Sequence, residues 1–315
     1  MLQFFKRKTQ AGGLTGVSFG QRHFAVANVT RERDQVFLAQ CAREEFRSTQ
    51  HLRDSLIEQI EKLNLQGTPC NAVLAPRDYS LYLVEAPAVE PDEMRAAVRW
   101  KVKDLLDMPL DDVAIDIFPV PDDAFNGRTR MLYVVAAAKS RVASVIDLCK
   151  SARLELASID IPEMAMKNIS TQFSDERNSQ AFIALKTNGS NMNITRNGSL
   201  YLARTVNTQV PPDVMGTPDW AMLRDRLVLE IQRSLDYYES QMGQMPVNEL
   251  VIAPRPDGAM LVKSLAEVLP VKVSMLEYEL RLESAPDISA ETKHACMFAV
   301  GAALRPDVSG AGGRA

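Results

Sequence analysis

The side chains best suited to nucleophilic or metal chemistry are three histidines, His23, His51 and His294, and four cysteines, Cys41, Cys70, Cys149 and Cys296. The cysteines are widely spaced and form no metal-ligand pattern. They are expected to be buried free thiols in a reducing compartment. His23 lies beside the first turn, within reach of a phosphate there, but a solvated loop histidine is the plainer expectation. The paired carboxylates Asp111-Asp112 and Asp122-Asp123 each fall in a turn and are read as solvated turn formers. No Ser/His/Asp or Cys/His set can be drawn from spacing, because such sets assemble only in three dimensions. The 14 methionines are scattered, as core gap-fillers would be.

The bulk composition narrows the classes. A charged fraction of 24% and a hydrophobic fraction of 46% are ordinary for a soluble protein. The net charge of −4, with no long basic or aromatic-interleaved run, argues against a nucleic-acid surface. No apolar run approaches the roughly 20 residues that span a bilayer, and Leu2–Phe5 is too short for a signal-peptide core. A cytoplasmic protein is expected. Met1–Lys8 sets two phenylalanines beside three cations; a frayed, solvated start is expected, with contact to an anionic membrane surface as the alternative.

The elements that must position these residues alternate between strand and helix rhythm, an α/β pattern. Leu14–Phe19, Phe24–Val29 and Val36–Cys41 read as strands. A helix over 51–65 carries Leu52, Leu56, Ile60 and Leu63 on one face, and Asn71–Ala75 is a further strand. Strands at 79–84, 113–118 and 130–138, with a helix at 140–152 placing Val142, Val145, Ile146 and Cys149 inward, form a separate α/β stretch. After a polar hinge at 171–179 the pattern opens again: strands at 181–185, 191–195 and 199–204, the last two joined by Asn197-Gly198. The longest helix runs over 218–242, with Leu223, Leu227, Ile231, Leu235 and Tyr238 on its apolar stripe. The two halves begin alike, which suggests a structural repeat. The last helix, 290–304, is assigned to the second half.

Between these halves, Glu93–Asp107 (EMRAAVRWKVKDLLD), then Pro109 and Val113-Ala-Ile-Asp116, resembles the PilM family, cytoplasmic actin-like proteins of type IV pilus assembly. Val84-Glu-Ala-Pro87 ahead of Arg99–Asp107 is similar to its MSHA-pilus branch, MshI. Glu230–Ser240 resembles the family's corresponding helix, and the likeness can be followed over most of the chain. The resemblance implies a two-lobed actin-like ATPase fold built from ribonuclease-H-like units, with an inserted α/β subdomain and a reduced nucleotide-lobe subdomain between Arg204 and Pro218. The implied division is a flexible start at 1–12, a first lobe at 13–77 plus 154–172, an inserted subdomain at 78–153, a second lobe at 180–304 and a disordered tail at 305–315.

Actin-like ATPases grip nucleotide with Gly-containing turns and an Asp that organises Mg²⁺, because backbone donors need the close approach that glycine permits. By resemblance the first turn here is Thr15–Gly20. Its Gly16 and Gly20 stand, but Ser18 replaces the acid, and a hydroxyl is a weaker partner for hydrated Mg²⁺. The second turn aligns on Leu185-Lys-Thr187, without acid or glycine. The adenosine turn falls at Ala253–Gly258, where Pro254 and Pro256 remove amide donors. These erosions imply no catalysis, no required cofactor, and ATP with Mg²⁺ held weakly if at all.

What remains is surface. PilM-like proteins take the cytoplasmic tail of a PilN-like inner-membrane protein, and the resemblance implies that partner here, alongside other pilus assembly proteins. On a helix over 92–106, with Met94, Ala97, Val98, Val102 and Leu105 as its apolar stripe, Trp100 projects roughly 130° from the stripe centre. Arg99 and Lys103 lie beside it. Trp and Arg are common interface anchors, whereas a Trp packed within the subdomain is the plainer reading. The alternatives in function are an ATPase whose nucleotide state regulates docking, a sugar-kinase-like phosphotransferase, and an actin-like polymer-former.

Overall fold

A computed structural model describes residues 13–32, 35–173, 178–185, 190–211, 213–276 and 282–306. The N-terminal Phe/Lys/Arg cluster, Thr187, residues 174–177 of the expected hinge and the last nine residues lie outside the described residues. The chain divides into two compact units, Met1–Leu74 with Ala143–Asp160 and Leu282–Ala315, and Ala75–Val142 with Ile161–Arg281.

The first unit is built on one sheet. β1 (Leu14–Phe19), β2 (His23–Glu32) and β3 (Gln35–Glu45) form an antiparallel meander, and β4 (Pro69–Val73) and β8 (Glu155–Asp160) extend it in parallel beyond β1. A two-residue strand, β14 (Glu283–Ser284), runs parallel to β3 on the other edge. Helix α1 (Thr49–Lys62) starts where Ser48 accepts the N–H of His51, an N-cap bond. Its buried face is Leu52, Leu56, Gln59 and Ile60. Two C-terminal helices, α7 (Ala290–Ala295) and α8 (Met297–Ala303), close the unit, and α8 lies against β1, β2 and β4. The last helix therefore belongs with the first sheet, not the second lobe. Its small residues, Ala299, Gly301, Ala302 and Ala303, let backbone approach backbone, which is a long-range fit that no local pattern announces.

The second unit holds two sheets. β9 (Gln180–Ala184), β10 (Ser190–Arg196), β11 (Ser199–Val206), β12 (Glu249–Ile252) and β13 (Lys272–Met275) are ordered β11-β10-β9-β12-β13. Asn197 and Gly198 both carry positive φ, 50° and 68°, as the tight β10–β11 turn requires. The smaller sheet is β5 (Tyr79–Glu85), β7 (Met131–Ala138) and β6 (Val113–Pro119), all antiparallel. It does not stand apart from the larger sheet. The Tyr133 hydroxyl accepts the N–H of Ala203 at 2.8 Å and donates to the carbonyl of Tyr201 at 3.3 Å, so it pairs the open edge of β11. Helix α4 (Pro162–Phe173), assigned from sequence to the first lobe, packs on β10 in this unit.

Helix α3 (Lys139–Ser151) buries Val145, Leu148 and Cys149 but leaves Ile146 exposed, contrary to its expected inward position. The long helix α5 (Trp220–Asp236) ends in a π-helical turn, Tyr237–Gln241, rather than running on as one α-helix. Helix α6 (Gly258–Ala266) links β12 to β13. All four cysteines are free. A hydrogen bond with Cys296, then burial, pushes the Cys41 thiol far above its ordinary value; a bond with Cys149, then burial, does the same for Cys70. Thiols held protonated in this way are poor nucleophiles.

Candidate functional site

Parallel strands present ligands at their carboxyl ends, and in the first unit those ends align. Ser18 on β1 pairs with Val73 on β4, which pairs with Asp160 on β8. Asp160 is the acid that sequence reasoning missed; its only local signal was one carboxylate closing the apolar alternation of β8. It is buried and ion-paired to Arg305, 145 positions away. Ser18 is half-buried and brings no charge. Gly16 is needed for a different reason from phosphate approach: a Cβ there would sit 1.9 Å from the Ala299 carbonyl oxygen of α8. Gly20 leaves room for the His23 ring, which a Cβ would meet at 2.5 Å. His23 is thus folded against the turn rather than held out in solvent.

The corresponding turns of the second unit are likewise committed to the fold. Leu185 packs against the core around Ile183, Met192 and Ile252. After β12, Ala253-Pro254-Arg255-Pro256-Asp257 leads into α6 at Gly258, and Arg255 forms a buried ion pair with Asp257. A second Arg255–Asp257 contact measures 2.7 Å, and the same guanidinium reaches the carbonyl of Val210 at 3.3 Å. A Cβ on Gly258 would meet the Met275 sulfur at 2.2 Å. Where glycine amides would face a ligand, there are two prolines and a paired arginine. Among the described residues of these turns, the one carboxylate, Asp257, has a cationic partner in Arg255.

Asp122 and Asp123 part company. Asp122 is exposed and pairs loosely with Arg130 at 3.4 Å. Asp123 is likewise exposed and in the turn, as expected of a solvated turn former, and it carries contacts besides. It accepts the Tyr201 hydroxyl at 2.7 Å and lies 3.6 Å from Arg196, while its carbonyl accepts Gln244 Nε2 at 2.9 Å. Glu163, at the start of α4, is buried and accepts Tyr79 Oη at 2.6 Å and Asn191 Nδ2 at 2.7 Å. Burial, then the charge of Glu163, pushes the Tyr79 hydroxyl well above its usual range, which keeps it a donor.

On the smaller sheet, α2 (Met94–Lys101) is shorter than the sequence suggested, and the chain tightens into a 3₁₀ turn at Lys103–Leu105. Val98 and Val102 stay buried against Val84, Leu132 and Val134. The tighter turn rotates Leu105 outward, to 49% exposure, and Leu106 packs in its place. Trp100 is 67% exposed, so packing within the subdomain is not its role. Lys103 Nζ lies 5.7 Å from its ring centroid, a cation–π distance. Arg99 is turned inward, donating to the carbonyls of Leu110 and Val113, and Asp111 is 3.7 Å away. Arg99 positions the turn after α2; Trp100 and Lys103 are the residues on display.

The chain is similar over 94% of its length, and 98% of the other chain, to a structure of the PilM–PilN type IV pilus biogenesis complex, with a TM-score of 0.70 at 16% identity. It also aligns with a Bacteroides thetaiotaomicron protein of actin-like ATPase fold and unknown function, with a TM-score of 0.52 at 10% identity, covering 94% of this chain and 99% of that one. The chain has the actin-like ATPase fold. A third likeness is the cytoplasmic domain of EpsL, an inner-membrane component of the type II secretion system of Vibrio cholerae, with a TM-score of 0.50 at 11% identity, covering 90% of this chain and 93% of that one. No protein-family model matches the sequence, and no curated protein matches it. Among the described residues no helix is long and apolar enough to cross a membrane.

Proposed function

We propose that this protein is a non-catalytic scaffold of type IV pilus biogenesis, of the MSHA type, that works on the cytoplasmic side and docks the tail of a PilN-like inner-membrane protein. The observation that carries this reading is the exposed Trp100–Lys103 pair, on a chain similar end to end to one from a PilM–PilN complex. An exposed Trp beside a cation gains most of its binding free energy only when a partner covers it. Other pilus assembly proteins would meet the same platform once the tail is engaged.

The test uses a synthetic tail peptide of the PilN-like protein and the intrinsic fluorescence of Trp100. Trp220, the second of the two tryptophans, is tied to Ser264 Oγ at 3.2 Å and is removed optically by Trp220→Phe. Peptide binding should shift the emission of Trp100 to the blue. Trp100→Ala should weaken binding at least tenfold, the scale of an interface anchor, with the melting temperature unchanged. Full-strength binding to Trp100→Ala would remove this surface from the reading.

The alternative is docking regulated by ATP. The pairing of Asp160 with Arg305 and of Asp257 with Arg255 favours the non-catalytic reading. Titration calorimetry with Mg-ATP is expected to give no heat of binding. A micromolar constant would restore the nucleotide-regulated alternative.

A further inference from the structure

The second unit contains a cavity that none of the turn residues above lines, although the loop beside it runs on to Val210, whose carbonyl Arg255 holds. It lies between the end of β11, the loop that follows it and the middle of α5, with a volume of about 410 Å³. That is the size of small-molecule sites. Arg204 from β11 and Arg226 and Arg233 from α5 line it. Arg226 and Arg233 are seven residues apart, two helical turns, and so project from one face. Glu230 lies between them on that face, but its carboxylate is turned to the loop. It accepts the N–H of Asn207 at 2.7 Å, the N–H of Thr208 at 2.9 Å and the Thr208 hydroxyl. Among the described residues no carboxylate lies within ion-pair distance of the three arginines. Arg204 is stacked 4.7 Å over the ring of Tyr237, which the π-helical turn brings beneath it.

We propose that this cavity is a binding site for a phosphate-bearing small molecule. Three guanidinium groups less one carboxylate leave a local charge of about +2, the complement of a phosphomonoester or diphosphate dianion. The planar fork of Arg matches phosphate oxygens in pairs. The positive cavity stands out on a chain whose net charge is −4. Two of the charged groups are already fixed, Arg204 by Tyr237 and Glu230 by the loop, so ordering them on binding costs little. Leu229, 46% exposed at the rim, offers apolar contact to the body of the ligand. The site requires neither the docking surface nor the eroded turns, and it stands if the proposed scaffold role fails.

The experiment is calorimetric titration of the full chain with pyrophosphate, with citrate as a carboxylate control and an acidic peptide as a macromolecular control. Pyrophosphate is expected to bind, with affinity falling steeply as salt rises. Arg226→Ala combined with Arg233→Ala should weaken it at least tenfold. Both arginines are exposed, so the melting temperature of that variant should match the parent and rule out loss by unfolding. No binding of pyrophosphate, binding unaffected by the double variant, or equal or tighter binding of citrate or the acidic peptide would each overturn the assignment.

Discussion

Gly16→Ala should destabilise the first unit severely, by about 3–5 kcal/mol, with no nucleotide present. The added methyl would stand 1.9 Å from the Ala299 carbonyl oxygen and 2.8 Å from the Ala303 amide nitrogen. Both are backbone atoms of α8, so no rotamer change relieves the clash; the helix itself must move. It has little freedom to do so. Ala299, Val300, Ala302 and Ala303 are all buried, and Asn71 Nδ2 holds the Ala302 carbonyl at 3.2 Å. Ordinary overpacking costs 1–3 kcal/mol where side chains can yield, and a displaced helix belongs in the upper tail of single substitutions. Against a typical total of 5–15 kcal/mol, this approaches loss of the fold. Gly20→Ala meets only the His23 ring and should cost far less. Urea unfolding of the two variants decides the matter: Gly16→Ala within 1 kcal/mol of the parent would mean that this glycine is kept for a ligand.

The contrast between those glycines marks how far the sequence could be read. The meander of β1 to β3, the buried face of α1, the Asn197-Gly198 turn and the stripe of α5 are local patterns, each set by neighbours within a few positions, and they were legible. Gly16 reads as a phosphate-turn remnant until α8, from the other end of the chain, is seen lying on it. Asp160 has the same character: its partner Arg305 is 145 positions away. Leu105 and Ile146 failed for a different reason. A helical stripe assumes an unbroken α-helix over its whole length and a partner along its whole face. The 3₁₀ turn after α2 broke the first assumption, and Ile146, on a helix whose buried face is Val145, Leu148 and Cys149, failed the second. Trp100 was placed correctly off the stripe, but periodicity alone left open whether another element covered it.

The candidate nucleotide turns show a common physical theme, in which charges that might serve a ligand are paired with an opposite charge, while Asp160 Oδ2 and Arg255 Nη1 keep no hydrogen-bond partner among the described residues. Asp160 is matched by Arg305, Asp257 by Arg255, and Asp123 by Arg196 and Tyr201. Elsewhere, among the described residues, Arg226 and Arg233 of the α5 cavity face no carboxylate.

Asp257→Ala should cost about 3–5 kcal/mol, the penalty for stranding one member of a buried ion pair. The side chains of Arg255 and Asp257 are 10% and 13% exposed, so water does little to replace the lost partner. Arg255 Nη1 already lacks a hydrogen-bond partner among the described residues, which leaves the guanidinium with few alternatives. Its contact to the Val210 carbonyl, 3.3 Å away, cannot neutralise a full charge. Asp257 also stands at the N-terminus of α6, where a negative charge is favoured by the helix dipole, and its removal forfeits that too. The decisive comparison is with Arg255→Met plus Asp257→Ala. Removing both charges abolishes the stranded cation and keeps most of the side-chain volume, so the double variant should recover at least half of the loss. If the single variant unfolds at the parental urea concentration, or the double is no more stable than the single, the loop is not held by this pair.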